Sequence, residues 1–124
     1  MSEIKNLTID ELKLKLDRGN DFHFWNVLTD DYFHGEMIPG SHRIPIDGIA
    51  HEVSEMNVPK TSEIVVYCAG PNCLMSKMAA EKLQKLGFTN IWTFEGGVEE
   101  WKKAGYEVVN LETESKLFSA TRKS

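Results

Sequence analysis

The hydrophobic positions of this chain fall into two periods that alternate along its length. Ile9, Leu12 and Leu16 recur at helical spacing. They follow Thr8-Ile9-Asp10-Glu11, in which Thr8 is placed to cap a helix and Glu11 to reach back to it. Gly19 is placed to end that helix. Phe22-His23-Phe24-Trp25-Asn26-Val27 is rich in aromatic and β-branched residues and predicts a strand. Thr29-Asp30-Asp31 predicts a short turn of helix carrying Tyr32 and Phe33. Pro39-Gly40 breaks the chain, and residues 41–45 predict a short strand. Residues 46–56 predict a weak helix with Ile46, Ile49, Ala50 and Val53 on one face.

The clearest strand is Glu63 to Tyr67. It runs directly into Cys68-Ala69-Gly70-Pro71-Asn72-Cys73-Leu74, a loop with two turn formers. A helix is expected from about Ser76, with Met78, Ala79, Leu83 and Leu86 as its inner stripe and Gly87 as its stop. Asn90 to Phe94 predicts another strand. Gly96-Gly97 turns into a short helix bearing Trp101, ended by Gly105, and Tyr106 to Val109 predicts an edge strand. From Leu111 the chain is polar without periodicity, so a domain over 1–110 with a frayed tail over 111–124 is expected. Strands alternating with helices predict an α/β fold, a parallel central sheet of about five strands with helices on both faces.

Composition narrows the function. The chain has 124 residues, of which 41% are hydrophobic and 27% charged, as expected of one globular domain. Its formal net charge of -5 offers nothing to a phosphate backbone, so nucleic acid is not an expected partner. The apolar run Ile64 to Ala69 is far shorter than the roughly 20 residues that span a bilayer, so no membrane partner is expected. The N-terminus, Met-Ser-Glu-Ile-Lys-Asn, lacks the apolar core of a secretory signal, and a cytoplasmic location follows as an expectation. The 2 cysteines and 4 histidines are not spaced as a zinc set, and a reducing compartment argues against a structural disulfide. No metal site is expected.

The candidate chemistry lies at Cys68. In open α/β sheets ligands bind beyond the carboxyl ends of the strands, where Cys68 falls. Backbone N–H groups of a tight turn and the start of the next helix form an anion-binding concavity. A thiol there is expected to have a lowered pKa. That combination suits a nucleophile attacking sulfur, phosphorus or arsenic in an oxyanion. The competing reading is plain: a cysteine ending an apolar strand is often a core residue.

Several motifs then occur in order: Ile38-Pro39-Gly40-Ser41-His42-Arg43-Ile44-Pro45, Ile64-Val65-Val66-Tyr67-Cys68, Ala79-Ala80, Leu83, Gly87-Phe88, Asn90-Ile91, Glu95-Gly96-Gly97 and Trp101. In these the chain resembles the single-domain rhodanese family of persulfide-forming sulfurtransferases, over residues 7–109. The resemblance implies a rhodanese-like fold and a sulfurtransferase in which Cys68 takes the outer sulfur of a donor such as thiosulfate. The loop of Ala69, Gly70, Pro71, Asn72, Cys73 and Leu74 would hold the anionic sulfur through its N–H groups. A thiol, cyanide or a protein partner's cysteine would accept it, and no cofactor is implied.

The chain also departs from the family. The arginine usually found five residues after the cysteine is Cys73 here, and the loop is two residues longer. No Arg or Lys lies between Cys68 and Ser76. Asn26-Val27-Leu28 replaces an Asp followed by an Arg, and Glu36-Met37 stands where a histidine precedes Ile-Pro-Gly. A less charged donor, or a persulfide handed over by a protein, is therefore expected in place of thiosulfate. Arg43 is a candidate for the missing charge, the other reading being a surface salt bridge. Cys73 is either a resolving thiol for Cys68 or a small buried hydrophobe. Asn72 either aims a donor at the bound group or serves the turn. Met75, Met78, Leu83 and Leu86 read as core, Trp25 and Trp101 as packing residues, and Glu99-Glu100 with Lys102-Lys103 as a solvated helix face. Two alternatives stand beside the enzyme: a non-catalytic binding or sensing module, and a phosphatase or arsenate reductase, against which the lack of a clamping arginine counts.

Overall fold

The computed structural model describes residues 3–19 and 21–110. In chain order the elements are β1 (Lys5–Asn6), α1 (Ile9–Arg18), β2 (His23–Asn26), β3 (Glu36–Met37), β4 (His42–Arg43), a 3-10 turn (Ile46–Gly48) leading into α2 (Ile49–Met56), β5 (Glu63–Tyr67), α3 (Met75–Lys85), β6 (Asn90–Phe94), α4 (Gly97–Lys103) and β7 (Val109–Asn110). Five strands form a parallel sheet in the order β1-β6-β5-β2-β4, and β3 pairs antiparallel with β7 in a separate ribbon. The predicted tail, 111–124, lies outside the described residues.

The expected strand count is right, but one member differs. Tyr106 to Val109 is not an edge of the main sheet. The chain after α4 folds back on Trp101, whose Nε1 donates to the Glu107 carbonyl at 2.8 Å, and only Val109–Asn110 is extended, against Glu36–Met37. The edge is taken instead by Lys5–Asn6, two polar residues whose sequence carries no strand period.

The local rules account for the elements. Thr8 Oγ1 accepts from the Glu11 amide at 3.1 Å and Glu11 Oε1 from the Thr8 amide at 2.9 Å, a complete capping box. Gly19 closes α1 at φ +67, a conformation glycine adopts without a Cβ penalty.

Alternation along β5 sorts the core onto two faces. Ile64 and Val66 pack with Trp25 and Ile91 beneath α2 and α3, against Ile49, Val53, Ala79, Ala80 and Leu83. Val65 and Tyr67 pack with Phe24 and Phe94 on the other side, against Leu12 of α1 and Val98 and Trp101 of α4. Ile64, Val65, Val66 and Tyr67 are completely buried, each burial contributing about 1.5–3 kcal/mol. The inner stripe of α3 needs one correction. Ser76, Ala79, Ala80 and Leu83 face the sheet, whereas Met78 is 54% exposed and Leu86, beyond the last turn, 38% exposed. Among the described residues no helix is long and apolar enough to cross a membrane.

Candidate functional site

Parallel pairing brings three strand ends together. Asn26 lies beside Tyr67 and Tyr67 beside Phe94, so Val27-Leu28, Cys68 and Glu95-Gly96 emerge on the same edge of the sheet. Cys68 is the first residue after β5 and is completely buried.

The loop after it is a β-turn. The Cys73 amide donates to the Gly70 carbonyl at 3.0 Å across Pro71-Asn72, with Pro71 in the turn position that its fixed φ favours. This takes the Cys73 amide out of the expected ring of loop amides. The Cys73 N–H is used within the turn, and it is the Cys73 carbonyl that faces the sulfur, accepting from Cys68 Sγ at 3.4 Å. The amide facing the sulfur belongs to Ser76, beyond the predicted stretch. Helix α3 has no side-chain N-cap, so its first-turn N–H groups are free of a local partner of that kind. The Ser76 hydroxyl, buried and without a hydrogen-bond partner in the resting site, also faces Cys68.

Burial above all, and then the neighbouring Cys73 side chain, push the Cys68 thiol up to about 11 against the opposing Ser76 N–H and hydroxyl. The lowered pKa expected from a helix start is therefore overturned. Desolvation at the end of a central strand outweighs the dipole of one helix terminus. At neutral pH the resting site holds a thiol.

A second helix seats on this loop. The amides of Val98 and Glu99, at the start of α4, donate to the carbonyls of Cys68 and Ala69 at 3.1 and 2.8 Å. The fold-back brings Glu99 over the turn: a Cβ on Gly70 would stand 2.5 Å from Glu99 Oε2. Glu99 is thus a rim residue on the solvated helix face expected of it, ion-paired with Lys103 at 3.3 Å.

The turn borders an open cavity of about 560 Å³, to which Leu28, Tyr32, His34, Cys73, Leu74 and Met78 contribute. Leu74, Tyr32 and Met78 are exposed there, so Met78 is a wall residue and not core. Ala69, Gly70, Asn72 and Glu99 also line it, whereas Arg43 does not. The Arg43 guanidinium donates to the carbonyls of Asn26 and Leu28, to Asn26 Oδ1 and to Asp30, and stacks on Phe33 at 4.1 Å. It holds the segment that supplies Leu28, Tyr32 and His34. The charge expected of it is spent on that segment and not at the sulfur. Ser76, Glu99 and His34 were missing from the sequence-derived set. A helix-start serine two residues past the loop was a usable signal; the other two depend on chain fold-back.

Known proteins resemble the chain in the same region. The family profile of the Rhodanese-like domain matches residues 8–104. The thiosulfate sulfurtransferase GlpE of Shewanella oneidensis is 21% identical, over 84% of this chain and 98% of that protein. The adenylyltransferase and sulfurtransferase UBA4 of Meyerozyma guilliermondii is 28% identical over 68% of this chain, which spans only 21% of that longer protein. The crystal structure of a Bacillus halodurans protein aligns with a TM-score of 0.75 at 27% identity, covering 86% of this chain and 77% of that one.

Proposed function

The chain belongs to the rhodanese-like domain family, and from that premise we propose that it is a sulfurtransferase carrying a sulfane sulfur as a persulfide on Cys68. The observation that carries the reading is the Cys68 sulfur facing the Ser76 N–H and its buried, unpartnered hydroxyl, two groups that favour negative charge on sulfur at the mouth of a strand–loop–helix unit. The sulfurtransferase names of two relatives support it.

In the proposed step Cys68 attacks the outer sulfur of a donor persulfide. One S–S bond forms as the donor's S–S bond breaks, and the departing thiolate takes the proton that Cys68 gives up. No net charge is left in the buried site, so a thiol pushed up to about 11 is compatible with the exchange. An acceptor thiol or cyanide then takes the outer sulfur and releases Cys68. The loop holds no arginine or lysine and Glu99 stands at its rim, which favours a donor of low charge, a persulfide on a small molecule or a protein, over thiosulfate.

Whole-protein mass spectrometry after treatment with cysteine persulfide tests this. A gain of one sulfur atom, located on Cys68 and lost in Cys68→Ser, is expected. No gain in any variant overturns the reading. A second reading, a non-catalytic binding module, is favoured by one observation: the resting Cys68 is fully buried and its proton is engaged by a carbonyl. The same measurement separates the two.

A further inference from the structure

We propose that Cys73 resolves the Cys68 persulfide, releasing sulfide and leaving a Cys68–Cys73 disulfide, so that the domain reduces sulfane sulfur instead of only passing it on. The inference rests on the sulfur-carrier reading of Cys68 and extends it.

Its basis is the turn. Gly70-Pro71-Asn72 folds the chain back so that Cys68 Sγ donates to the Cys73 carbonyl at 3.4 Å, and the Cys73 thiol is near enough to raise the Cys68 pKa. Both cysteines are free thiols. Cys68 is buried while Cys73 is half-buried and lines the open cavity, so the pair has one inner and one accessible member. The Cys73 amide is tied to Gly70 at 3.0 Å, which holds this residue against Cys68. A persulfide on Cys68 would therefore form with a second thiol beside its inner sulfur. The groups at hand to hold its terminal charge belong to Ser76, since no arginine or lysine lies in the loop.

The step balances. The Cys73 sulfur attacks the inner sulfur of Cys68–S–SH; the Cys68–Cys73 bond forms and the bond to the outer sulfur breaks. Sulfide leaves carrying the persulfide's proton and the Cys73 proton, as H2S. The sulfane sulfur is reduced and the two thiols are oxidised, with no outside oxidant. A further turnover needs a dithiol reductant, which would reach the disulfide through Cys73, the sulfur on the cavity side.

The test is a single turnover with one equivalent of cysteine persulfide and no reductant, followed by mass analysis and sulfide assay. Wild-type protein should end two hydrogens lighter, with a peptide linking Cys68 to Cys73 and sulfide released. Cys73→Ser and Cys73→Ala should stay one sulfur atom heavier, with sulfide release slowed about tenfold or more. A wild-type persulfide that persists as long as that of the variants, or sulfide release unchanged by them, overturns the proposal. Failure of wild type and both variants to take up sulfur at all overturns the carrier reading beneath it. The linked peptide is read from the wild-type chain alone, so a variant that does not fold leaves the test intact.

Discussion

The backbone N–H of Val98 donates to the carbonyl of Cys68 at 3.1 Å, so α4 begins on the same loop that α3 follows. This approach excludes a side chain at Gly97, which sits at φ +60 and whose Cβ would lie 2.4 Å from the Cys68 carbonyl oxygen. Gly97→Ala should lose about 1–2 kcal/mol for conformation alone, and more because the neighbour is backbone and must shift. Gly105→Ala, at φ +89 with nothing within 4 Å, isolates the conformational part. Urea unfolding should show the larger loss for Gly97→Ala, and its sulfur uptake should fall while that of Gly105→Ala is retained. Equal losses in both variants would mean that the close seat has no energetic weight.

The state of the Cys68 thiol predicts a pH dependence. Its native value lies near 11, above the ordinary 9.0, because burial favours the neutral form. The native state is thus favoured fully below about 9, and this contribution is lost as pH rises from about 9 to about 11. Denaturant midpoints of wild type should fall through that window relative to Cys68→Ser. Alkylation of Cys68 should quicken about tenfold per pH unit above neutrality, since the thiolate is the nucleophile. A plateau near pH 7 would contradict the burial argument.

Ser76→Ala separates chemistry from stability. The hydroxyl is buried and has no partner in the resting site, so its removal should leave stability unchanged or raise it by about 1 kcal/mol. Persulfide formation should nonetheless slow by about tenfold or more, because the group faces the charge that develops on sulfur. Thermal melts and stopped-flow sulfur uptake give the two readouts. A stable variant with undiminished uptake would remove Ser76 from the proposed chemistry.

Glu99 sets the charge preference of the rim. Its side chain is 52% exposed and paired with Lys103, so its field is partly screened. Glu99→Gln should lower the KM for thiosulfate by about two- to fivefold, the size of an exposed charge effect, and leave the KM for an uncharged organic persulfide unaltered. A parallel change for both donors would show that Glu99 acts through the loop's shape and not its charge.

Much of this was legible before any coordinates. The run Glu63 to Tyr67 reads as a strand because β-branched and aromatic residues crowd it, and the Gly70-Pro71-Asn72 turn reads from residue chemistry alone. Thr8 and Glu11 announce their helix. Lys5–Asn6 was invisible, because two polar residues at an edge owe their strand state to β6 and not to their own pattern. Tyr106 to Val109 misled for the opposite reason: the apolar spacing is real, but Tyr106 packs on Trp101, with ring centroids 4.7 Å apart. At the site, sequence placed both cysteines on one tight loop before a helix start, as the structure has them. It could not weigh burial against the helix terminus, since desolvation of Cys68 depends on elements as distant as α4. The exposed face of Glu99 was legible, but its position over Gly70 was not, since it depends on where α4 seats.

Both borders of the main sheet, Lys5–Asn6 and His42–Arg43, are only two residues long. A foreign strand arriving at either rim would meet one or two unpaired peptide groups before the chain turns away, too few to template growth of the sheet. The long, greasy strands that would be hazardous if uncovered are confined to the middle, each flanked on both sides by its own kin.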